Sequence, residues 1–112
     1  LERVGGWSSL GALQILLLPA VALDGDWEEF DRLLPEADVL ITSTGIVHED
    51  IPAMARQAAE IARHGRQPDR AGRAYALALA QYHALGDLQE VARTRAAMHG
   101  LFAEVVEAQP AR

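Results

Sequence analysis

Residues 65–87 read GRQPDRAGRAYALALAQYHALGD, and this stretch decides the fold of the chain. A glycine opens it at Gly65 and another closes it at Gly86, and Pro68 suits the first turn of a helix, where no N–H is needed. Between them, small and apolar residues recur at steps of three and four, which places their side chains on one face of an α-helix. These residues are Ala71, Ala74, Tyr75, Ala78, Leu79 and Tyr82.

Glycines at candidate turns recur along the chain at an interval of about twenty residues. The glycines that keep this interval, spaced 19, 20, 20 and 21 residues apart, are Gly6, Gly25, Gly45, Gly65 and Gly86. Asp26 and Asp87 follow two of them, where an aspartate can cap the next helix. Because the interval fits one helix plus one turn, the sequence predicts five helices, at about 8–23, 27–43, 51–64, 68–85 and 88–107.

Three features complicate this prediction. Pro19 and Pro35 fall inside the first two helices, where proline removes a hydrogen bond and is expected to kink or split the helix. Residues 39–43 are β-branched enough for a short strand, but the chain offers no second strand-like run, so helix or irregular structure is favoured. Gly100 is a candidate end for the fifth helix, with a short tail helix after it.

The composition is typical of one globular domain. Half of the 112 residues are apolar and 23% are charged, and the mean hydropathy is +0.01. The chain has no cysteine, which excludes disulfides and cysteine-ligated zinc and fits a reducing cytoplasm. The longest apolar stretch, residues 10–23, is shorter than the roughly 20 residues that span a bilayer. We expect a cytoplasmic domain over 1–112 that does not enter a membrane and, since it begins without methionine, belongs to a longer protein.

The charge is unevenly distributed. Ten arginines, with no lysine, oppose 16 acidic residues, so the net charge is −6. Residues 1–50 hold two arginines and ten acids, whereas 51–112 hold eight and six, so the halves carry −8 and +2. A net negative charge disfavours binding to nucleic acid, which depends on neutralising phosphates. Opposite halves favour head-to-tail self-association, which salt should weaken.

The chain resembles the tetratricopeptide-type repeat, a pair of helices joined by a short turn. In the stretch from Gly65 to Ala78, Ala71, Tyr75 and Ala78 occupy the positions of the small, aromatic and small residues of that motif's second helix, although the loop is one residue longer. The segments 85–87 and 23–27 resemble its central turn. The resemblance implies an all-α fold in which antiparallel hairpins of about five helices stack as a short right-handed superhelix.

A second resemblance concerns the segment from Ala59 to Ala97, which is rich in arginine and alanine and carries the run RAYALALAQYHALGDLQEVARTRAAM that starts at residue 73. This arginine- and alanine-rich sequence pattern is similar to the helical-repeat regions at the C-terminal ends of large bacterial signalling kinases and ATPase-containing regulators. In such proteins the repeats carry no chemistry and instead bind partners or effectors, or restrain the catalytic modules of the same chain.

No motif assembles a reactive group. The four histidines, His48, His64, His83 and His99, lack the spacing of three or four residues that a helical metal pair requires. Glu49 and Asp50 stand where a helix start favours negative charge. The acidic segment 24–31 lacks the spacing of a calcium loop. Trp7 and Trp27 each begin an apolar face, which favours the core over a partner anchor. We therefore expect no catalytic residue, no cofactor and no metal.

One cluster of arginines is a candidate binding site. It consists of Arg56, Arg63, Arg66, Arg70 and Arg73. Arg56 and Arg63 lie seven residues apart on one helix face, and the other three gather around the next turn. A small anion or an acidic partner surface could dock there. In the alternative, the arginines form a solvated rim and pair with Glu60 and Asp69.

Two functions follow as hypotheses. The first is a non-catalytic helical-repeat domain that contacts a protein partner, other domains of its own chain or a second copy of itself, in a bacterial regulator. The alternative is a regulatory domain that senses a small anionic effector through the arginine cluster.

Overall fold

The computed structural model describes the backbone of residues 2–108 and the side chains of residues 13–108. This part of the chain is all-α, as predicted, and none of it forms a strand. Its five helices are α1 (Glu2–Leu23), α2 (Trp27–Thr44), α3 (Asp50–His64), α4 (Pro68–Leu85) and α5 (Leu88–Ala108). The predicted bounds of the last four helices differ from these by at most one residue.

Prolines and glycine interrupt the helices less than predicted. Pro19 lies inside α1 and Pro35 inside α2, and neither divides its helix. Proline has no N–H, so Pro35 leaves the carbonyl oxygen of the residue four positions earlier without its helical hydrogen bond. Because Pro35 is exposed, water can donate a hydrogen bond to that oxygen instead. Gly100 does not end α5, which continues to Ala108 without a separate tail helix. Residues 39–43, the candidate strand, belong to α2.

Glycine and aspartate form the predicted turns. The glycines that end α1, α2 and α4, with φ of 70°, 69° and 73°, are Gly25, Gly45 and Gly86. Side chains rarely adopt this left-handed backbone conformation, which explains the choice of residue. Asp26 accepts a hydrogen bond of 3.2 Å from the N–H three residues later, and Asp87 does the same before α5. These two caps are confirmed. The turn predicted at Gly6 is wrong: Gly6 lies inside α1, which begins at Glu2 and not near residue 8.

The turn into α3 is capped by an unexpected side chain. Glu49 precedes the helix but makes no side-chain hydrogen bond to its first turn. The Nδ1 atom of His48 instead accepts the backbone N–H of Asp50 at 3.1 Å. Asp50 supplies the expected negative charge in that turn.

The turn between α3 and α4 places its left-handed residue one position later than the others. Gly65 has a φ of −80°, and Arg66 takes the φ of 61°. Gly65 is small because a Cβ there would lie 3.2 Å from the Cζ2 atom of Trp27. Trp27 is partly buried against the core, as predicted, and meets Phe30 edge-on at 5.5 Å between ring centres. Trp7 lies outside the residues with described side chains.

The helices pack as consecutive hairpins. α1 contacts α2 and α3, α3 contacts α4, and α4 contacts α5. α3 and α4 pack against each other, and together they carry seven fully buried alanines, whose small side chains let packed helix axes approach closely. These alanines are Ala55, Ala58, Ala59, Ala62, Ala71, Ala74 and Ala78. α4 is thereby fixed against α3 while its other side supports α5.

Two glycine-to-alanine changes should have opposite effects on stability. Gly86→Ala forces a left-handed alanine and should lower the free energy of unfolding by about 1 kcal/mol. Gly72→Ala lies inside α4, where its Cβ would meet Leu101 Cδ2 at an ordinary 3.9 Å, and should raise it by up to about 1 kcal/mol. Urea denaturation followed by circular dichroism measures both, and changes of equal sign would contradict this account of the turn.

Candidate functional site

Two arginines of α3 reach across to acidic side chains of α5. Arg56 forms an ion pair with Glu90, and Arg63 forms one with Glu104. Since the earlier arginine pairs with the earlier glutamate, α3 and α5 run in the same direction. α4 packs against both helices and forms the floor between them. We call this channel, bounded by these four side chains, the α3–α5 groove.

The floor of the groove carries two tyrosines of α4. The Arg56 guanidinium lies over the ring of Tyr82, 5.4 Å from its centre, in a cation–π contact. Tyr75 lines the same cleft as Arg63. The two tyrosines, like the two arginines, are seven residues apart, and two helical turns return a side chain to the same face. The groove therefore consists of two similar units, each with one tyrosine, one arginine and one glutamate.

Arg63 is held in a fixed position where it crosses α5. Its Nε atom lies 3.1 Å from each carboxylate oxygen of Glu104, and Nη1 lies 3.4 Å from the carbonyl oxygen of Ala97. The crossing takes place at Gly100, where a Cβ would lie only 2.9 Å from Nη2. Gly100 is therefore the position on α5 that leaves room for the guanidinium.

The two units differ in exposure. The side chains of Arg56 and Glu90 are 27% and 19% exposed, whereas those of Arg63 and Glu104 are 24% and 55% exposed. The hydrogen bond from the partner arginine lowers the pKa of each glutamate. The pKa of Arg63 is raised, first by its hydrogen bond to Glu104 and then by the phenol of Tyr75. Both units hold their charges at neutral pH, but only Glu104 is largely in solvent.

Arg70 and Arg73 of the predicted cluster lie elsewhere, whereas Arg66 borders a cleft that it shares with Arg63. Arg70 forms a bidentate pair with Asp31 of α2, at 2.8 and 2.7 Å, and its guanidinium carbon lies 5.7 Å from the centre of the Trp27 ring. Arg73 lies 3.7 Å from the same carboxylate. Arg66 is exposed in the turn after α3.

The five arginines therefore do not form one surface. The acids that pair with them stand on other helices, whereas Glu60 and Asp69, the predicted partners, form none of these ion pairs. The shared face of Arg56 and Arg63 follows from their spacing and is observed. The sequence-based prediction placed Gly100 only as a helix end and did not include the two glutamates of α5. The matching seven-residue intervals of arginine and tyrosine were the available signal for the groove.

No match is found when the chain is compared with protein families, with curated proteins and with solved structures. Across the described helices, none combines the length and apolar character needed to cross a membrane. The histidine and acidic side chains of the described residues form no group of three that could hold a metal ion.

The inter-helix ion pairs should make stability depend on pH. A hydrogen bond from arginine lowers the pKa of Asp31, Glu90 and Glu104 in the folded state. A lowered pKa contributes stability that is present above the unfolded-state pKa and lost as the pH falls through the folded-state pKa. We expect the free energy of unfolding to fall between about pH 5 and pH 2.

Urea denaturation at constant ionic strength measures this pH dependence. Glu90→Gln removes one paired carboxylate and should give a shallower fall than the wild-type protein. Glu107→Gln, an exposed position on α5 outside these pairs, serves as the control and should follow the wild type. An unchanged slope in Glu90→Gln would contradict the role of the pair.

Proposed function

We propose that this protein is a non-catalytic, tetratricopeptide-like helical-repeat domain that contacts a protein partner or another domain of its own chain. The proposal includes a place in a bacterial signalling regulator of the cytoplasm, which rests on the resemblance of residues 59–97 and on a composition without cysteine. The structural observation that supports a contact surface is an apolar stripe on α1.

The stripe lies on the side of α1 opposite the core. Its leucines, Leu13, Leu16 and Leu17, are 53%, 50% and 48% exposed. They follow the helical steps of three and one, and exposed Ala20 continues them. We call these four residues the α1 stripe. Ile15 and Leu18 on the opposite face are fully buried, so this helix is apolar on both sides.

An apolar helix of this kind is normally covered on both sides. Residues 13–23, the part of α1 whose side chains are described, include no charged residue, so a complementary surface there needs no opposing charge. An amphipathic helix that lays its apolar face along the α1 stripe has suitable chemistry. Burial of each half-exposed leucine would contribute on the order of 1 kcal/mol.

The ion pairs of the arginines also support a surface that binds a partner. Arg56 and Arg70 are each tied to an acid on another helix, so their positions are fixed before a partner arrives. A rigid surface loses less conformational entropy on binding. These pairs therefore support a preformed scaffold in which α2, α3, α4 and α5 are linked.

Site-specific photo-crosslinking tests the proposal. A photoreactive residue at position 16 of the protein expressed in its own cell should give a defined adduct with a partner, another domain or a second copy. The matched control is position 39 on α2, where Val39 is 65% exposed but lies outside the stripe.

The partner identified in this way is then purified for a binding measurement. Leu16→Gln should weaken its binding roughly tenfold, while Val39→Gln should leave it unchanged. The proposal fails if both positions crosslink equally and sedimentation shows a monomer at every protein concentration.

A further inference from the structure

Tyr75 carries a polar group whose burial the fold does not explain. Its side chain is fully buried, and its hydroxyl makes no hydrogen bond of ordinary geometry among the described residues, although the phenol lies close enough to the Arg63 guanidinium to raise the pKa of that group. A buried tyrosine hydroxyl usually finds a partner, and leaving one unpaired costs about 1–3 kcal/mol. The Tyr75 side chain borders a cleft of about 390 Å³ between α3, α4 and α5, and its hydroxyl oxygen is itself covered. An unpaired donor in the wall of a cleft indicates a place for a ligand atom.

The ion pair beside this hydroxyl can open at low cost. Glu104 is 55% exposed, whereas Arg63 is 24% exposed and also reaches the Ala97 carbonyl. Exposed ion pairs contribute only about 0–1 kcal/mol to stability. Glu104 is therefore the member that can move into water, and Arg63 is the member that stays.

The Arg63–Glu104 pair also separates two clefts. The first contains Tyr75, Glu60 and His64. The second, also of about 390 Å³, has an apolar wall that includes Leu101 and Val105, with Arg66 at its edge. Arg63 and Glu104 line both clefts, so movement of Glu104 into water leaves the Arg63 guanidinium between Tyr75 on one side and the apolar surface on the other.

We propose that the opened site binds a carboxylate attached to a short apolar group. The carboxylate takes the place of Glu104 against Arg63 and accepts a hydrogen bond from the Tyr75 hydroxyl. The apolar group lies on Leu101 and Val105. This inference does not rest on the proposed partner contact, because it concerns a different face from the α1 stripe.

Charge and geometry favour a carboxylate over other groups. Glu60 also faces the cleft, so an anion that entered beside both glutamates would meet two negative charges. Exchange of one carboxylate for another leaves the net charge of the site unchanged. The planar guanidinium already binds both oxygens of Glu104 through Nε, and a ligand carboxylate has the same geometry. The Tyr75 hydrogen bond is an additional contact that Glu104 does not make.

The ligand carboxylate could belong to a small molecule or to the end of a peptide. Hexanoate serves as the small probe, with hexanol as its uncharged counterpart. A short peptide ending in leucine serves as the second probe, with its C-terminal amide as the counterpart. Binding is measured by calorimetry and by the NMR signal of the Arg63 Nε–H group.

Four variants give distinct expected results with whichever acid binds. Glu104→Gln removes the competing carboxylate and should strengthen binding roughly tenfold. Tyr75→Phe should weaken binding by about tenfold while leaving stability to urea unchanged or increased, since an unpaired buried hydroxyl is lost. Arg63→Gln should abolish binding. Glu107→Gln, exposed on the same helix, should bind like the wild type.

The proposal is overturned if neither acid binds Glu104→Gln at millimolar concentrations, or if hexanol and the amide bind as well as the acids. It is also overturned if Tyr75→Phe binds with unchanged affinity. Binding of the peptide acid without hexanoate identifies a peptide terminus as the source of the carboxylate, and binding of both identifies the small carboxylate as sufficient.

Discussion

Close packing of small side chains between α3 and α4 determines where the larger residues of this protein can lie. The alanines at this contact are fully buried, and they leave no space for a long side chain between the two helices. Arginine and tyrosine therefore stand beside the contact, where they reach neighbouring helices. Arg63 and Tyr75 meet at the α5 side for this reason, and Arg70 extends toward α2 on the other side. The groove is a consequence of the alanine contact as much as of its own residues.

Some of the unevenly distributed charges of the sequence form ion pairs inside the molecule. Asp31 belongs to the acidic half of the chain, and its partners Arg70 and Arg73 belong to the other half. This link connects α2 to α4, two helices that otherwise touch only lightly. The pairs across the α3–α5 groove, in contrast, use arginines and glutamates of the same half. Opposite charges of the two halves of the sequence can therefore attract each other between helices of one molecule, as well as between molecules.

Local signals in the sequence were sufficient for the helices and insufficient for the site. Glycine and aspartate define a turn through their own backbone and side-chain chemistry, so the ends of α1, α2 and α4 and the starts of α2 and α5 could be predicted from single positions. The partners of Arg56 and Arg63 stand 34 and 41 residues away, and only the packing of α5 on α4 brings them close. The packing roles of Gly65 and Gly100 were missed for the same reason, since each leaves room for a side chain from a distant part of the chain. Gly65 makes room for Trp27, and Gly100 makes room for Arg63.

Gly100 also restricts how α5 can move. The Arg63 guanidinium sits in a notch that only this glycine provides, and residues one turn away on either side, Ala96 and Glu104, carry a Cβ. A slide of α5 along its own axis by one turn, 5.4 Å, would bring such a Cβ against the guanidinium. Such a slide would require the flexible end of the Arg63 side chain to move aside, so the register of α5 and the position of this guanidinium are coupled.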